Sequence, residues 1–120
     1  MTDIPNIKVE NRKGYIWISF PNSIVRENIL QIQNRIESIL TDESSHVALD
    51  LSNIDILGSI VIDLIMFVNK ILTNLKGSIC VVNLSEACLK QFQTMNLDKV
   101  VTIYGSEGEM PDLGNETSDS

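Results

Sequence analysis

An α/β domain built on a mixed β-sheet with helical cover is what this sequence predicts, on three observations. After an opening pair of strand-like runs, strands and helix-period stretches alternate in the order β-β-α-β-α-β-α-β. Residues 47–51 (Val, Ala, Leu, Asp, Leu) form a compact apolar run suited to an inner strand covered on both sides. At 120 residues the chain is near the modal domain size, long enough to bury one core and too short for a two-domain enzyme.

Residues 7–10 and 15–20 have strand composition, and the polar stretch 11–14, ending in Gly14, reads as the hairpin turn between them. Pro21, Asn22 and Ser23 stop the second strand and offer a helix N-cap. Val25, Ile29, Ile32, Ile36 and Ile39 then recur at spacings of four and three, which makes one buried helical face, while Arg26, Glu27, Gln31, Asn34, Arg35 and Glu37 supply a polar one. Residues 41–45 are a short polar connection into the strand 47–51, expected at the sheet centre.

A turn through Ser52 and Asn53 leads past Ile54 to Gly58 and Ser59, where a second helix is expected to begin and run to about residue 75. Its stripe is Val61, Leu64, Ile65, Val68, Ile71, Leu72 and Leu75, and Ile60, Ile62, Met66 and Phe67 lie outside that stripe. Two-sided burial and partner docking both account for the surplus apolar surface. Lys76 and Gly77 end this helix, residues 78–83 form the next strand, Ser85 opens a third helix to about Met95, and residues 100–104 are the last strand.

The formal net charge is −7, which argues against a phosphate-tracking surface and so against direct nucleic-acid binding. Residues 1–105 are nearly neutral, with 11 acidic and nine basic side chains, whereas 106–120 hold Glu107, Glu109, Asp112, Glu116 and Asp119 and no base. The division expected is a domain at 1–105 and an acidic, disordered tail at 106–120. Cys80 and Cys88 are too few for a zinc set and read as buried thiols of a reducing cytosol. Residues 1–10 show no signal-peptide pattern, and Asp55, Gly58, Ser59, Asp63, Asn69 and Lys70 interrupt the most apolar stretch, so no membrane span and a cytoplasmic location are expected. His46 is the single histidine and has no ligand spacing around it; Asp50, Asp55 and Asp63 form no paired-carboxylate pattern; Trp17 reads as core. Neither a catalytic set, a metal site nor a cofactor is expected, which makes the chain a non-enzyme.

The element order, taken with residues 49–59 (Leu-Asp-Leu-Ser-Asn-Ile-Asp-Ile-Leu-Gly-Ser), resembles the STAS domain of bacterial anti-sigma factor antagonists over about residues 5–105. In that family an inner strand ends in a pattern close to Leu-x-Leu-x-x-Val-x-Phe-Met-Asp-Ser-Ser-Gly-Leu-Gly. Leu49 and Leu51 match the leucines, Ile54 the Val, Ile56 and Leu57 the apolar pair, and Ser59 the first serine. A second stretch, residues 79–92, resembles the family's strand, serine-started turn and helix, and Asn96 to Ile103 its approach to the last strand. The departures cluster at the functional loop: Gly58 stands for the Asp, Ile60 for the second Ser or Thr, and Val61 and Asp63 for the glycines.

A serine at a helix start lies beside unpaired backbone N–H groups and the positive end of the helix dipole, so Ser59 can serve as an N-cap or accept a phosphate. The resemblance implies a regulatory binding module that docks a serine-kinase anti-sigma factor, releases its sigma factor, and is switched off by phosphorylation at Ser59, with a serine phosphatase as the resetting partner. It places docking at Asn22, Ser23, Gly58, Ser59, Ile60, Ile62, Asp63 and Met66. The alternative is a STAS scaffold or accessory subunit of a signalling or transporter complex that is not phospho-switched.

Overall fold

The computed structural model describes residues 7–21, 24, 27, 29–43 and 45–113. Its elements run β1 (Lys8–Arg12), β2 (Tyr15–Ser19), α1 (Ile29–Ile39), β3 (His46–Asp50), α2 (Ser59–Asn74), β4 (Ser78–Val82), α3 (Glu86–Thr94) and β5 (Thr102–Tyr104), with 3-10 turns at Leu97–Lys99 and Glu107–Glu109. This is the expected α/β order, and β3 lies at the centre of one sheet ordered β1-β2-β3-β4-β5. β1 and β2 are antiparallel; β2 to β5 are parallel.

Local chemistry explains the boundaries. Lys13 (φ 56°) and Gly14 (φ 88°) close the hairpin between Arg12 and Tyr15, and two consecutive positive φ values are what a two-residue type I′ turn requires. The turn is therefore two residues shorter than expected, and Asn11 and Arg12 join the strand. β5 begins two residues later than expected, because the N–H groups of Val100 and Val101 both bond back to the Leu97 carbonyl and are lost to the ladder. Helix α2 ends in a Schellman arrangement, with Gly77 N–H on the Leu72 carbonyl (2.8 Å) and Lys76 N–H on the Thr73 carbonyl (3.2 Å). Lys76, at φ 59°, takes the left-handed position, and Gly77 serves a different need. A Cβ at residue 77 would lie 2.1 Å from the Ser45 carbonyl oxygen.

Strands taken in sequence order with crossovers of one hand put all their helices on one face. That face carries the main core. Ile18 and Phe20, Val47, Leu49 and Leu51, and Val81 pack against Ile32 and Ile36 of α1, Val61, Leu64, Ile65, Val68 and Leu72 of α2, and Cys88 and Phe92 of α3. Ile62, Met66 and Phe67, three of the four surplus apolar residues of α2, are half-buried against the same cluster. Val25, expected on the α1 face, lies outside the described residues.

The opposite face needs another cover. Tyr15, Trp17, Ala48, Cys80 and Val82 form a second buried cluster, closed by Met110 at 4% exposure. Arg12 lies over the Trp17 ring at 4.6 Å and pairs with Glu10 and Glu107, each at 3.0 Å. Lys13 Nζ donates to the carbonyls of Glu107 (2.8 Å) and Met110 (3.2 Å), and the Leu113 N–H donates to the Lys13 carbonyl (2.7 Å). Residues 106–113, expected as the start of a disordered tail, thus form a strap across this face. The composition is acidic, but the backbone is held by Lys13 and one methionine fills the gap. The remainder of the expected tail, 114–120, lies outside the described residues.

Candidate functional site

The site builds from the carboxyl ends of the parallel strands, where open α/β sheets gather their functional loops. β3 ends in Asp50, 9% exposed, whose Oδ2 accepts from the indole N–H of the fully buried Trp17 (3.1 Å). Its Oδ1 accepts from the Ser52 N–H (3.0 Å) and the Asn83 amide (3.3 Å). Burial alone pushes this carboxyl up, but the hydrogen bonds from Ser52, Asn83 and Trp17 outweigh it and hold the pKa below the ordinary carboxylate value. The ionised carboxylate therefore ties β2, β3 and the end of β4 together where the loop to α2 departs. Asn53 adds a bond to the Phe20 carbonyl (3.2 Å).

Beyond that knot, residues 52–58 alternate between anchoring and display. Ile54 (5% exposed) and Leu57 (4%) are buried, and Ile56 between them is 69% exposed. Side chains of α3 hold the backbone of this loop from below. Ser85 Oγ donates to the Asp55 carbonyl (3.2 Å), Cys88 Sγ to the carbonyls of Ile54 and Asp55 (3.4 Å each), and Gln91 pairs with both polar groups of Leu57.

Ser59 is the first residue of α2 and is exposed; Gly58 is the N-cap, in extended conformation and with no side-chain cap. The expectation that Ser59 itself caps the helix is corrected: it sits one position too late. The first intrahelical bond runs from the Ile62 N–H to the Gly58 carbonyl (3.1 Å), which leaves the N–H groups of the first turn without helical acceptors. Among the described residues the Ser59 hydroxyl has no hydrogen-bond partner. Beside it opens a groove of about 430 Å³, lined by Ile24, Ile54, Asp55, Ile56, Gly58, Ser59, Ile60 and Val61.

The structure thus joins Gly58, Ser59 and Ile60 in one groove, with the exposed Asp63 one turn further along α2. Ile62 and Met66, also expected at the docking surface, do not line this groove and are half-buried against the main core. Asn22 and Ser23 lie outside the described residues, although Ile24, next to them, lines the groove. Ile24, Ile54, Asp55 and Ile56 were missed by reading the sequence. The signal available in the sequence was a pair of isoleucines, Ile54 and Ile56, in the short loop just ahead of Gly58 and Ser59. His46 is at the other end of β3, its Nδ1 2.7 Å from Ser78 Oγ, and takes no part. Among the described residues no group of three His, Cys, Asp or Glu side chains is placed to hold a metal ion, and no helix is long and apolar enough to cross a membrane.

A five-stranded sheet with helices on one face and an exposed serine opening the central helix defines a small α/β domain that presents a groove, and comparison names its class. The chain belongs to the STAS domain family, whose model matches residues 6–110. An anti-sigma-factor antagonist (STAS) domain protein from Planctomyces limnophilus superposes with a TM-score of 0.74 at 22% identity, covering 86% of this chain and 92% of that one. The anti-sigma factor antagonist SpoIIAA in its unphosphorylated form gives 0.67 at 15%, covering 86% and 91%. The phosphorylated form of SpoIIAA, a Bacillus cell-fate determinant, gives 0.64 at 15%, covering 86% and 95%. At these identities the likeness establishes the fold. No curated protein matches this chain.

Proposed function

We propose that this chain is a non-enzymatic cytoplasmic binding module that docks a serine-kinase anti-sigma factor through the groove beside Ser59, and that phosphorylation of Ser59 ends the docking. The observation that carries the reading is the exposed Ser59 hydroxyl, unpartnered among the described residues, at an uncapped helix start beside a largely apolar groove. A phosphate there adds roughly −1.5 to −2 charges. The free first-turn N–H groups and the helix dipole favour it within the chain. Asp55 and Asp63 already place carboxylates nearby, so the added charge makes the surface strongly anionic and repels a partner seated on Ile56. A serine phosphatase reverses the change.

Incubation with the cognate kinase and ATP, followed by phosphosite mapping, tests the switch: Ser59 becomes modified and the modified protein no longer recovers the kinase in pull-down. An unmodified Ser59 beside a phosphorylated control antagonist overturns it. The residues Gly58, Ile60 and Val61, in place of the family's Asp, second Ser or Thr, and Gly, favour a second reading, a scaffold or accessory subunit bound independently of phosphate. Under that reading Ser59→Asp leaves the partner bound.

A further inference from the structure

Gln91 lies 34 residues from Leu57 in sequence, on α3, yet its side-chain amide makes a two-point pairing with that residue. The Leu57 N–H donates to Gln91 Oε1 at 2.9 Å, and Gln91 Nε2 donates to the Leu57 carbonyl at 3.1 Å. Leu57 directly precedes the N-cap of α2 and follows Ile56, the most exposed large apolar residue of the described chain. A primary amide is the side chain that mimics a neighbouring strand here, since it offers one acceptor and one donor to a single residue.

We propose that Gln91 is a positioning residue for the docking loop: by satisfying both backbone groups of Leu57 it fixes the segment that displays Ile56 and delivers the chain into Ser59. The proposal rests on reading the Ser59 groove as a docking surface. Ser85 and Cys88, spaced three apart with Gln91 along α3, hold the Asp55 and Ile54 carbonyls and complete the support. Of the three, only Gln91 both donates and accepts at one loop residue. Loss of the amide frees the peptide on both sides of Leu57 while the sheet beneath stays paired. α3 therefore sets how rigidly the groove is presented, and a rigid loop loses less entropy when a partner binds.

The test is amide hydrogen exchange of the full chain, read by NMR at Leu57, with Val47 and Leu49 of β3 as internal references. Gln91→Met, of similar length with no amide, is expected to lower Leu57 protection about tenfold with the β3 amides unchanged. Gln91→Glu supplies a pH signature. Below about pH 4 the neutral acid donates and accepts like the amide and keeps Leu57 protected; near neutrality the acceptor-only carboxylate has no donor for the Leu57 carbonyl and is repelled by it, so the two-point pairing opens and protection falls. Wild-type protection stays flat once intrinsic rates are divided out. Leu57 protection within twofold of wild type in Gln91→Met, or a flat profile in Gln91→Glu, overturns the clamp; if Gln91→Met does not fold, the Glu variant decides. Partner affinity separates the two claims. A partner that binds Ile56→Asp as tightly as wild type overturns the docking reading, while one that loses Ile56→Asp yet binds Gln91→Met normally overturns the positioning role alone.

Discussion

Replacing Asp50 with alanine removes one acceptor from three donors at once: the Trp17 indole, the Ser52 backbone N–H and the Asn83 amide. The three losses are unequal. Ser52 is exposed and Asn83 half-exposed, so water replaces the carboxylate for both, whereas Trp17 is fully buried and its N–H is left without a partner. A buried donor left unsatisfied costs about 1–3 kcal/mol, and a hydrogen bond to an ionised acceptor is worth about 1.5–3 kcal/mol. Removing the charge also relieves its own desolvation, which offsets part of this. The net expectation is a loss of about 2–3 kcal/mol, a fall in Tm on the order of 10 °C. Urea titration followed by circular dichroism and by the fluorescence of Trp17, the only tryptophan, measures it.

A pH series adds a signed check on the same residue. The folded-state pKa of Asp50 lies below its unfolded value, so its contribution is fully present above the unfolded pKa, near 4, and is lost as pH falls through the folded one. The stability gap between wild type and Asp50→Ala is therefore constant from neutrality down to about pH 5 and narrows below about pH 4. A loss under about 1 kcal/mol, or a gap that widens on acidification, refutes the claim that the ionised carboxylate holds the strand ends together.

Three further outcomes follow from the geometry. Ile56→Asp, at 69% exposure, is expected to change stability by no more than about 0.5 kcal/mol while weakening partner capture at least tenfold, read by denaturation beside pull-down or titration calorimetry. Met110→Ala opens the strap and is expected to cost about 2–3 kcal/mol. It also exposes Cys80, whose thiol is pushed up to about 12 by burial, so thiol-reagent labelling at neutral pH is negligible in the wild type and faster in the variant. Gly77→Ala forces a Cβ against the Ser45 carbonyl oxygen and is expected to cost about 2–4 kcal/mol by urea titration, with the register of β3 and β4 visible as shifted backbone resonances.

Much of this architecture was legible in the chain because its signals are local. Apolar spacing of three and four placed α2 at Ser59 to within one residue, and the compact run ending in Asp50 and Leu51 marked the central strand. The serine at the helix start was legible for the same reason. Which residue caps α2 was not legible, because a shift of one residue moves the cap from Ser59 to Gly58, and that depends on Gly58 taking the extended conformation. Ile62 and Met66 lie outside the stripe read from the sequence, which left two-sided burial and docking both open, and the fold half-buries them against the main core.

The strap shows the limit of composition. Residues 106–113 are polar and acidic, and nothing in their own sequence demands order; they are held because Arg12 and Lys13, nearly a hundred positions earlier, face them across the sheet. By itself the sequence determined the order of the described strands and helices, the faces that α1 and α2 bury and the serine that opens α2, since periodicity and turn chemistry act over a few residues. Only the tertiary structure decided that every helix lies on one side of the sheet and that the acidic segment closes the other. It also decided that Gln91 grips Leu57, because contacts made across 34 or 97 residues depend on how the strands are ordered and leave no local trace.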